Sequence, residues 1–218
     1  MSKANKSNKA IKYRLYPNDE QKVMFAKTFG CCRFVYNQLL ALQKQRYKDG
    51  ESHLSKLKSN EFATRTLKKD YDFLKEIDKF AVSNAVFHLA DAYDRFFKKQ
   101  NHFPKFKSKR KSKKSYTTNF TNNNILIGKN VIKLPKVGMV KAVIHKLPKD
   151  DWKLKSVTVS QDSVGNYFAS VLFEYEQEDI PSVSKSSTNA IGLDYKSDGL
   201  YMDSNGNKAG VYKYYRES

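Results

Sequence analysis

The chain has 218 residues, 39% of them hydrophobic and 13% aromatic, which is enough to bury a sizeable core and excludes wholesale disorder. Its 41 Lys and Arg residues outnumber 22 Asp and Glu residues, giving a formal net charge of +19. Such a charge indicates a polyanionic partner, because each phosphate that a protein neutralises releases condensed counterions. The alternative is a charged surface that serves solubility alone.

The N-terminal region predicts one strand followed by helices. Lys9–Tyr16 alternates apolar and basic side chains, as a half-buried strand does. Asn18 is placed as a helix N-cap, and Gln21 occupies the capping-box position. Gly30 separates this first helix from a second helical stretch, Cys31–Lys48.

Two more helices are predicted further along. One lies within Ser59–Asp70, and the other, Lys79–Lys99, has the clearest apolar stripe of the chain. The stripe of the Lys79–Lys99 helix consists of Ala81, Ala85, Leu89, Ala92 and Phe96.

The adjacent pair Cys31 and Cys32 offers neither a disulfide framework nor the paired spacing of a zinc site.

Positive charge is concentrated after these helices. The window Arg95–Lys149 contains 16 Lys or Arg residues and no Asp or Glu, and Lys105–Lys114 has seven basic residues in ten. Interleaved aromatic residues suit a surface that follows a phosphate backbone and stacks on bases, whereas a solvated charged face is the alternative. The residues expected to contact nucleic acid are Lys12, Arg14, Arg33, Lys105, Lys107, Lys109, Arg110, Lys111, Lys113, Lys114, Tyr116 and Lys141.

A polar connector, Lys105–Tyr116, leads into a region of short β-type runs. Five antiparallel strands that need closure predict a small barrel, which Lys9–Tyr16 could join across the helical insertion. The five runs are Ile125–Ile127, Val131–Leu134, Met139–His145, Leu154–Ser160 and Tyr167–Tyr175.

The last part of the chain begins with Glu178–Asn189, which is first acidic and then Ser-rich and is typical of a linker. Ala190–Tyr195 follows as an apolar strand with one carboxylate, that of Asp194. A second strand, Leu200–Asp203, leads through Asn205-Gly206, a type I′ turn signal, into a third.

Four passages resemble, in family order, the transposon-encoded TnpB (OrfB) proteins, which are relatives of the type V CRISPR effector nucleases. They are YRLYPNDEQKVMFAKTFGCCRFVYNQLL (Tyr13–Leu40), FPKFKSKRKSKKSYTT (Phe103–Thr118), IKLPKVGMVKAVIH (Ile132–His145) and IGLDYKSDGLYMDSNGN (Ile191–Asn207). Together the matches run through nearly the whole chain.

The resemblance implies an α+β protein in which a helical recognition lobe is inserted into a small antiparallel, wedge-like β-barrel. The barrel's first strand would lie in residues 1–17, and the lobe with its helix-turn-helix in 18–102. A basic connector and the remaining barrel would occupy 103–180, with a linker at 181–189. Residues 190–218 would be the start of an incomplete RuvC (RNase H-like) nuclease domain.

The resemblance also implies function. Family members bind a guide RNA made from the end of their own element, read a short motif beside target DNA, and cut it with three Mg²⁺-binding acidic residues. Only the first of these acids, Asp194, is present here, as the candidate catalytic residue and metal ligand. One carboxylate cannot hold two divalent ions, and Asp198 and Asp203 are interpreted as surface residues.

We therefore expect a truncated protein that binds guide RNA and target DNA and does not cut. One alternative is a nuclease-dead, RNA-guided repressor derived from TnpB. Another is a stand-alone basic RNA-binding protein, against which the Ile191–Asn207 passage argues. No run of about 18 apolar residues could span a bilayer, and no signal peptide precedes the first strand, so a cytoplasmic location without membrane contact is expected. The sequence gives no sign of oligomeric state.

Overall fold

A computed structural model of the chain describes residues 5–177, 191–195 and 199–210. The chain divides into two compact units, Met1–Gln177 and Glu178–Ser218. The predicted linker Glu178–Asn189 lies outside the described residues. The fold is mixed α+β, with a helical region near the N-terminus and a large antiparallel sheet.

Seven strands of the first unit form one antiparallel sheet in the order β2-β6-β7-β1-β5-β4-β3. The central strand β1 pairs with β7 along most of its length and with β5 at its end, where Leu15 lies opposite both Tyr167 and Ala142. The prediction that the first strand joins the later ones across the helices is therefore confirmed. The strands are β1 (Asn5–Tyr16), β2 (Lys114–Asn119), β3 (Leu126–Ile127), β4 (Val131–Leu134), β5 (Gly138–Val143), β6 (Lys153–Gln161) and β7 (Tyr167–Gln177).

Two features of this sheet differ from the prediction. β2 begins inside the predicted connector Lys105–Tyr116 and continues to Asn119, and it was missed because the basic run before it masks its alternation of inward and outward side chains. The ladder is also open. β2 and β3 are its two ends, and no hydrogen bonds join them within the described residues, so a closed barrel is not observed.

The helices lie between β1 and β2 in the chain. Asn18 caps the first of them as predicted, since its Oδ1 accepts from the Gln21 amide at 2.9 Å and Gln21 Oε1 accepts from the Asn18 amide at 3.1 Å. The predicted Ser59–Asp70 helix begins three residues earlier and contains a π-helical segment. The helical segments are α1 (Asp19–Lys48), α2 (Lys56–Glu61), a π-helical segment (Phe62–Leu67), α3 (Lys68–Asp70), a 3₁₀ turn (Asp72–Lys75) and α4 (Lys79–Phe97).

The sequence predicted that Gly30 interrupts the first helix, and this prediction is wrong. α1 runs through Gly30 without a break for 30 residues. A glycine inside a helix costs about 1 kcal/mol relative to alanine, which is less than the burial of the flanking side chains contributes. Phe29, Cys32 and Val35 are all buried, so the helix continues across Gly30.

The core of the first unit lies between one face of the sheet and the helix pair α1 and α4. Phe25 of α1 packs against Tyr116 of β2 and Tyr167 of β7, with ring centroids 6.3 Å and 5.4 Å away. At the start of α4, the buried carboxylate of Asp78 accepts a hydrogen bond from Thr118 Oγ1 of β2 at 2.5 Å. Helices and sheet are thus joined at β2.

The second unit contains a three-stranded antiparallel sheet, β10-β9-β8, formed by β8 (Leu193–Asp194), β9 (Tyr201–Asp203) and β10 (Lys208–Ala209). The turn after β9 is not of type I′, because Gly206 has a positive φ of 85° and Asn205 does not. Asp203 organises this turn instead. Its carboxylate accepts from the amides of Asn205 and Asn207 at 2.9 and 2.8 Å.

Replacing Gly30 with Ala tests whether α1 is continuous. A Cβ at Gly30 would meet no heavy atom within 4 Å, so Gly30→Ala should raise the free energy of unfolding by about 0.5–1 kcal/mol. The change is measured from urea denaturation midpoints.

A matched control is Gly165→Ala, since Gly165 has a positive φ of 97° and alanine there should destabilise the protein. A loss of stability in Gly30→Ala would mean that the chain turns at Gly30 and that α1 is two helices.

Candidate nucleic-acid interface

The basic segment Lys105–Lys114, here called the basic loop, forms an ordered turn that leads into β2 and ends at its first residue. The Lys111 amide donates to Ser108 Oγ at 3.0 Å, and the Ser108 amide donates to Ser112 Oγ at 2.9 Å. The turn exposes most of the cations that the sequence singled out. Lys105, Lys109, Arg110, Lys111, Lys113 and Lys114 are all exposed.

Asn37 of α1 fixes the basic loop to the helices. Its Oδ1 accepts from the Lys107 amide at 2.8 Å, and its Nδ2 donates to the Lys107 carbonyl at 2.9 Å. The Lys107 ammonium lies 4.0 Å from the ring centroid of Tyr36, and desolvation by burial lowers its pKa despite the opposing effect of Cys32. Lys107 therefore holds the loop against α1, and its ammonium is less accessible to a ligand than those of the exposed lysines.

Within the part of the chain that the structure describes, the cations of the acid-free window have no carboxylate partners. Of the 16 Lys and Arg residues in Arg95–Lys149, none forms an ion pair with an acid of the described residues. The ion pairs that are observed involve lysines and arginines elsewhere, such as Lys27 with Glu76 at 2.6 Å. Positive charge on the basic loop is thus left uncompensated by its surroundings.

A second cationic surface lies on the outer face of the sheet. Side chains of β1 alternate, so that Lys12, Arg14 and Tyr16 point away from the core. Phe168 of β7 lies directly opposite Arg14, and its ring is 4.2 Å from Lys12 Nζ and 5.0 Å from Arg14 Cζ. We call Lys12, Arg14, Tyr16 and Phe168 the cation–aromatic patch.

Neighbouring strands extend this patch in both directions. Lys141 of β5 is exposed and lies opposite Tyr16, on the same face. On the other side, hydroxyl side chains of β6 and β2 continue the face, and Thr117 Oγ1 and Thr158 Oγ1 are 2.9 Å apart. Cations, aromatic rings and hydroxyls together are groups that contact phosphates, bases and sugars.

Phe168 was not among the residues expected to bind. The alternation of side chains along β7 could place Phe168 on the outer face. Its contact with Lys12 and Arg14, however, depends on the register between β7 and β1. Arg14 also donates a hydrogen bond to Asn166 Oδ1, which holds the guanidinium beside the ring. A pairing register between strands so distant in the chain leaves no signal in local sequence.

Arg33 of α1 lies near the end of the basic loop. It lines a small cavity of about 50 Å³ together with Lys107, Lys113 and Lys114. The fold therefore brings this predicted residue to the loop, although many residues separate them in sequence.

Tyr116 is a correction to the expected site. Its side chain is only 3% exposed and packs between Phe25 and Phe29, and burial raises the pKa of its phenol. Strand β2 points Tyr116 into the core and turns Ser115 and Thr117 outward. Tyr116 is consequently unavailable for stacking on a base.

Asp194 is exposed on β8. Asp203 lies opposite Leu193 on the neighbouring strand, which places its side chain on the other face of the small sheet. Hydrogen bonding by the Asn207 side chain and by the turn amides lowers the pKa of Asp203 against desolvation, so that carboxylate is engaged in its own turn. Asp198 lies outside the described residues.

The residues described do not fit a two-ion magnesium site. Such a site needs several carboxylates converging on one point, and no group of three or more His, Cys, Asp or Glu residues with that geometry occurs in residues 5–177, 191–195 and 199–210. Cys31 and Cys32 are buried as free thiols, and desolvation raises the pKa of Cys32 to about 12. Buried thiols of this kind are not arranged as zinc ligands.

Across the part of the chain that the structure describes, no helix is both long and apolar enough to cross a membrane.

Comparison with known proteins gives one family match. Residues 7–52 match the helix-turn-helix domain of IS605 OrfB proteins. In this chain, that range contains most of strand β1 and the whole of the continuous helix α1.

Three relatives are similar to the chain. A protein of Streptomyces pristinaespiralis, provisionally named an RNA-guided DNA endonuclease, is 30% identical over 92% of this chain and 49% of its own length. The provisionally named RNA-guided DNA endonuclease InsQ of Escherichia coli K12 is 29% identical over 85% of this chain and 44% of its own length. Virulence protein VsdF of Salmonella dublin is 32% identical over 46% of this chain and 93% of its own length.

The chain spans about half the length of the two endonuclease relatives. The helix-turn-helix match and these similarities agree with the four passages quoted above and with the antiparallel sheet and helices of the first unit. The chain is homologous to the transposon-encoded TnpB (OrfB) proteins over most of its length and carries the helix-turn-helix domain of IS605 OrfB proteins.

Proposed function

We propose that this chain is the nucleic-acid-binding portion of a TnpB-type RNA-guided DNA endonuclease, with guide RNA and target DNA as its partners. One observation supports the proposal: the exposed cations of the basic loop form no ion pair within the described residues, and Asn37 fixes the loop to the protein. Such partners would place the activity in the cytoplasm.

The basic loop would grip the phosphate backbone. Because Asn37 holds the loop by two hydrogen bonds, its exposed cations are positioned before nucleic acid arrives. Less conformational entropy is then lost on binding than with a flexible basic tail. Contacts with phosphates give affinity that is largely independent of sequence.

The cation–aromatic patch would contact the same nucleic acid through other groups. Phe168 can stack on an unpaired base while Lys12 and Arg14 neutralise the adjoining phosphates. Serine and threonine hydroxyls of β2 and β6 can donate to sugar or phosphate oxygens. The wedge-like barrel expected from the family would correspond to this open sheet.

Cleavage is not assigned to these residues. Asp194 remains the candidate first acid of a RuvC-type site, and Mg²⁺ would supply Lewis-acid stabilisation in a complete site. Its described surroundings offer no converging carboxylates. With Mg²⁺ and a guide RNA, the 218 residues should bind a target plasmid and leave it uncut, and Asp194-dependent nicking would contradict this part of the proposal.

The salt dependence of binding tests the basic loop. If six or more phosphates are neutralised, the slope of log affinity against log salt concentration should be about −5 or steeper. Changing Lys109, Arg110, Lys111, Lys113 and Lys114 to Ser should flatten that slope by up to about 4.5 units, at about 0.9 per lost contact. Fluorescence anisotropy with a structured RNA gives the slope, and far-UV circular dichroism should stay unchanged.

A control with the same net charge separates local contact from overall charge. Five lysines that are held in ion pairs are changed to Ser, so both variants fall from +19 by 5 to +14. The control should keep the wild-type slope to within about one unit, and equal flattening in both variants would rule out a specific role for the loop. The control lysines are Lys22, Lys27, Lys56, Lys75 and Lys155.

Leucine substitutions distinguish the outward ring of Phe168 from the inward ring of Tyr116. Phe168→Leu removes a stacking surface and should weaken binding to single strands by about 5- to 150-fold, as expected for about 1–3 kcal/mol per stacked base. Tyr116→Leu should leave affinity unchanged, because that ring is buried against Phe25.

Both variants are measured by anisotropy with the same single-stranded RNA, and their salt slopes should equal that of the wild type. A loss of affinity in Tyr116→Leu without loss of folded structure would contradict the assignment of these two rings.

A further inference from the structure

A groove lined by aromatic rings lies between the C-terminal ends of α1 and α4. Its volume is about 570 Å³, within the roughly 300–1,000 Å³ range of small-molecule sites. No role has been given above to this groove or to its rings. We call it the aromatic groove, and its rings are Tyr47, His53, Tyr93, Phe96, Phe97 and Phe103.

Ring geometry leaves one large aromatic surface uncovered. Tyr93 and Phe97 are nearly parallel, at 22° with centroids 6.2 Å apart. His53 and Phe103 stand edge-on against Tyr93, at 69° and 86°, and hold it in place. Phe97 is nevertheless 65% exposed and Tyr47 is 85% exposed, and a contiguous exposed patch of rings is typical of a binding site.

The His53 ring adds aromatic surface to this wall. Desolvation by burial lowers its pKa, and this outweighs the opposing effects of the backbone hydrogen bond at Leu54 and of Asp94. Burial therefore favours the uncharged form of the imidazole.

Two lysine side chains, Lys44 and Lys48, place positive charge at the edge of the aromatic groove. Lys44 Nζ lies 5.5 Å from the ring centroid of Phe103 and 4.7 Å from that of Phe106, and Lys48 also lines the groove. The one acid that lines it, Glu51, is ion-paired with Arg46. Aromatic walls under a cationic rim match a nucleotide, whose base stacks and whose phosphate is negative.

The groove is also continuous with the basic loop. Phe103 forms part of its wall, and the basic loop begins two residues later at Lys105. A strand whose phosphates lie along the loop can therefore reach the groove with its next bases. A paired base has both faces stacked in its own helix, so only an unpaired one can enter.

We propose that the aromatic groove holds an unpaired nucleotide of the nucleic acid that the basic loop grips, with its base on Phe97 and its phosphate at Lys44 and Lys48. This rests on the proposed nucleic-acid binding, and it adds a preference for single-stranded or bulged positions over fully paired helices.

Binding of matched probes to the full chain tests the groove. One probe is a hairpin with an unpaired loop, the second is the same hairpin with abasic loop positions, and the third is a fully paired duplex, each made as RNA and as DNA. Phe97→Ala should weaken binding of the first probe by about 5- to 150-fold, the range for one stacked base. Affinity for the other two should change less than twofold, and the salt slope should be unchanged.

Two further variants serve as controls. Phe97→Trp should restore the affinity, because tryptophan also stacks. Phe73→Ala removes an exposed ring, 42% accessible, that lies away from the groove, and should have no effect. The RNA and DNA arms identify which strand supplies the nucleotide.

Each remaining outcome has a definite meaning. If wild type binds the abasic hairpin as tightly as the intact one, or if Phe97→Ala weakens all three probes equally, the groove does not hold a base. If wild type binds none of the probes with a salt-dependent affinity, the proposed function itself fails.

Discussion

Pairing of β1 with strands from the far end of the first unit is the constraint on which this structure depends. The sheet order places β1 between β7 and β5, so its hydrogen bonds join the two halves of the sheet. Ile11, Tyr13 and Leu15 face the core, and the Tyr13 hydroxyl donates to the Lys146 carbonyl at 2.6 Å. Contacts between such distant segments cost loop-closure entropy, which burial of this face must offset.

The same strand also builds the binding surface. Because side chains alternate along a strand, fixing the inward residues of β1 fixes Lys12 and Arg14 on the outer face. Their position beside Phe168 follows from the register with β7. Stability of the core and the geometry of the proposed interface are therefore set by one pairing.

The net positive charge opposes folding, whereas the pairing of β1 favours it. A net charge of +19 destabilises a compact state through self-repulsion. The helices reduce this cost locally with ion pairs such as that of Lys56 with Asp91, whereas the basic loop has none within the described residues. Nucleic acid that binds the folded state would relieve the repulsion and stabilise the protein by mass action.

Local chemistry explains what the sequence could predict. The capping box at Asn18 and the joining of β1 to the later strands follow from side-chain types and periodicity, and both are confirmed. Gly30 was misjudged because helix propensity is weak beside the burial of its neighbours.

Other features depend on contacts between distant segments. β2 was hidden because its outward serine and threonine residues resemble a connector, and this also concealed that Tyr116 points inward. Lys12 and Arg14 were predicted as binding residues, but their position beside Phe168 could not be predicted, since it requires the register of β1 against β7.

Chemical acetylation of lysines, with and without a bound structured RNA, tests the central claim most directly. Mass spectrometry gives the modification rate of each amine. We expect strong protection of the exposed basic-loop lysines, Lys105, Lys109, Lys111, Lys113 and Lys114, and little change at the ion-paired Lys22, Lys27, Lys56 and Lys75. Protection spread evenly over both groups, or confined to the ion-paired one, would contradict it.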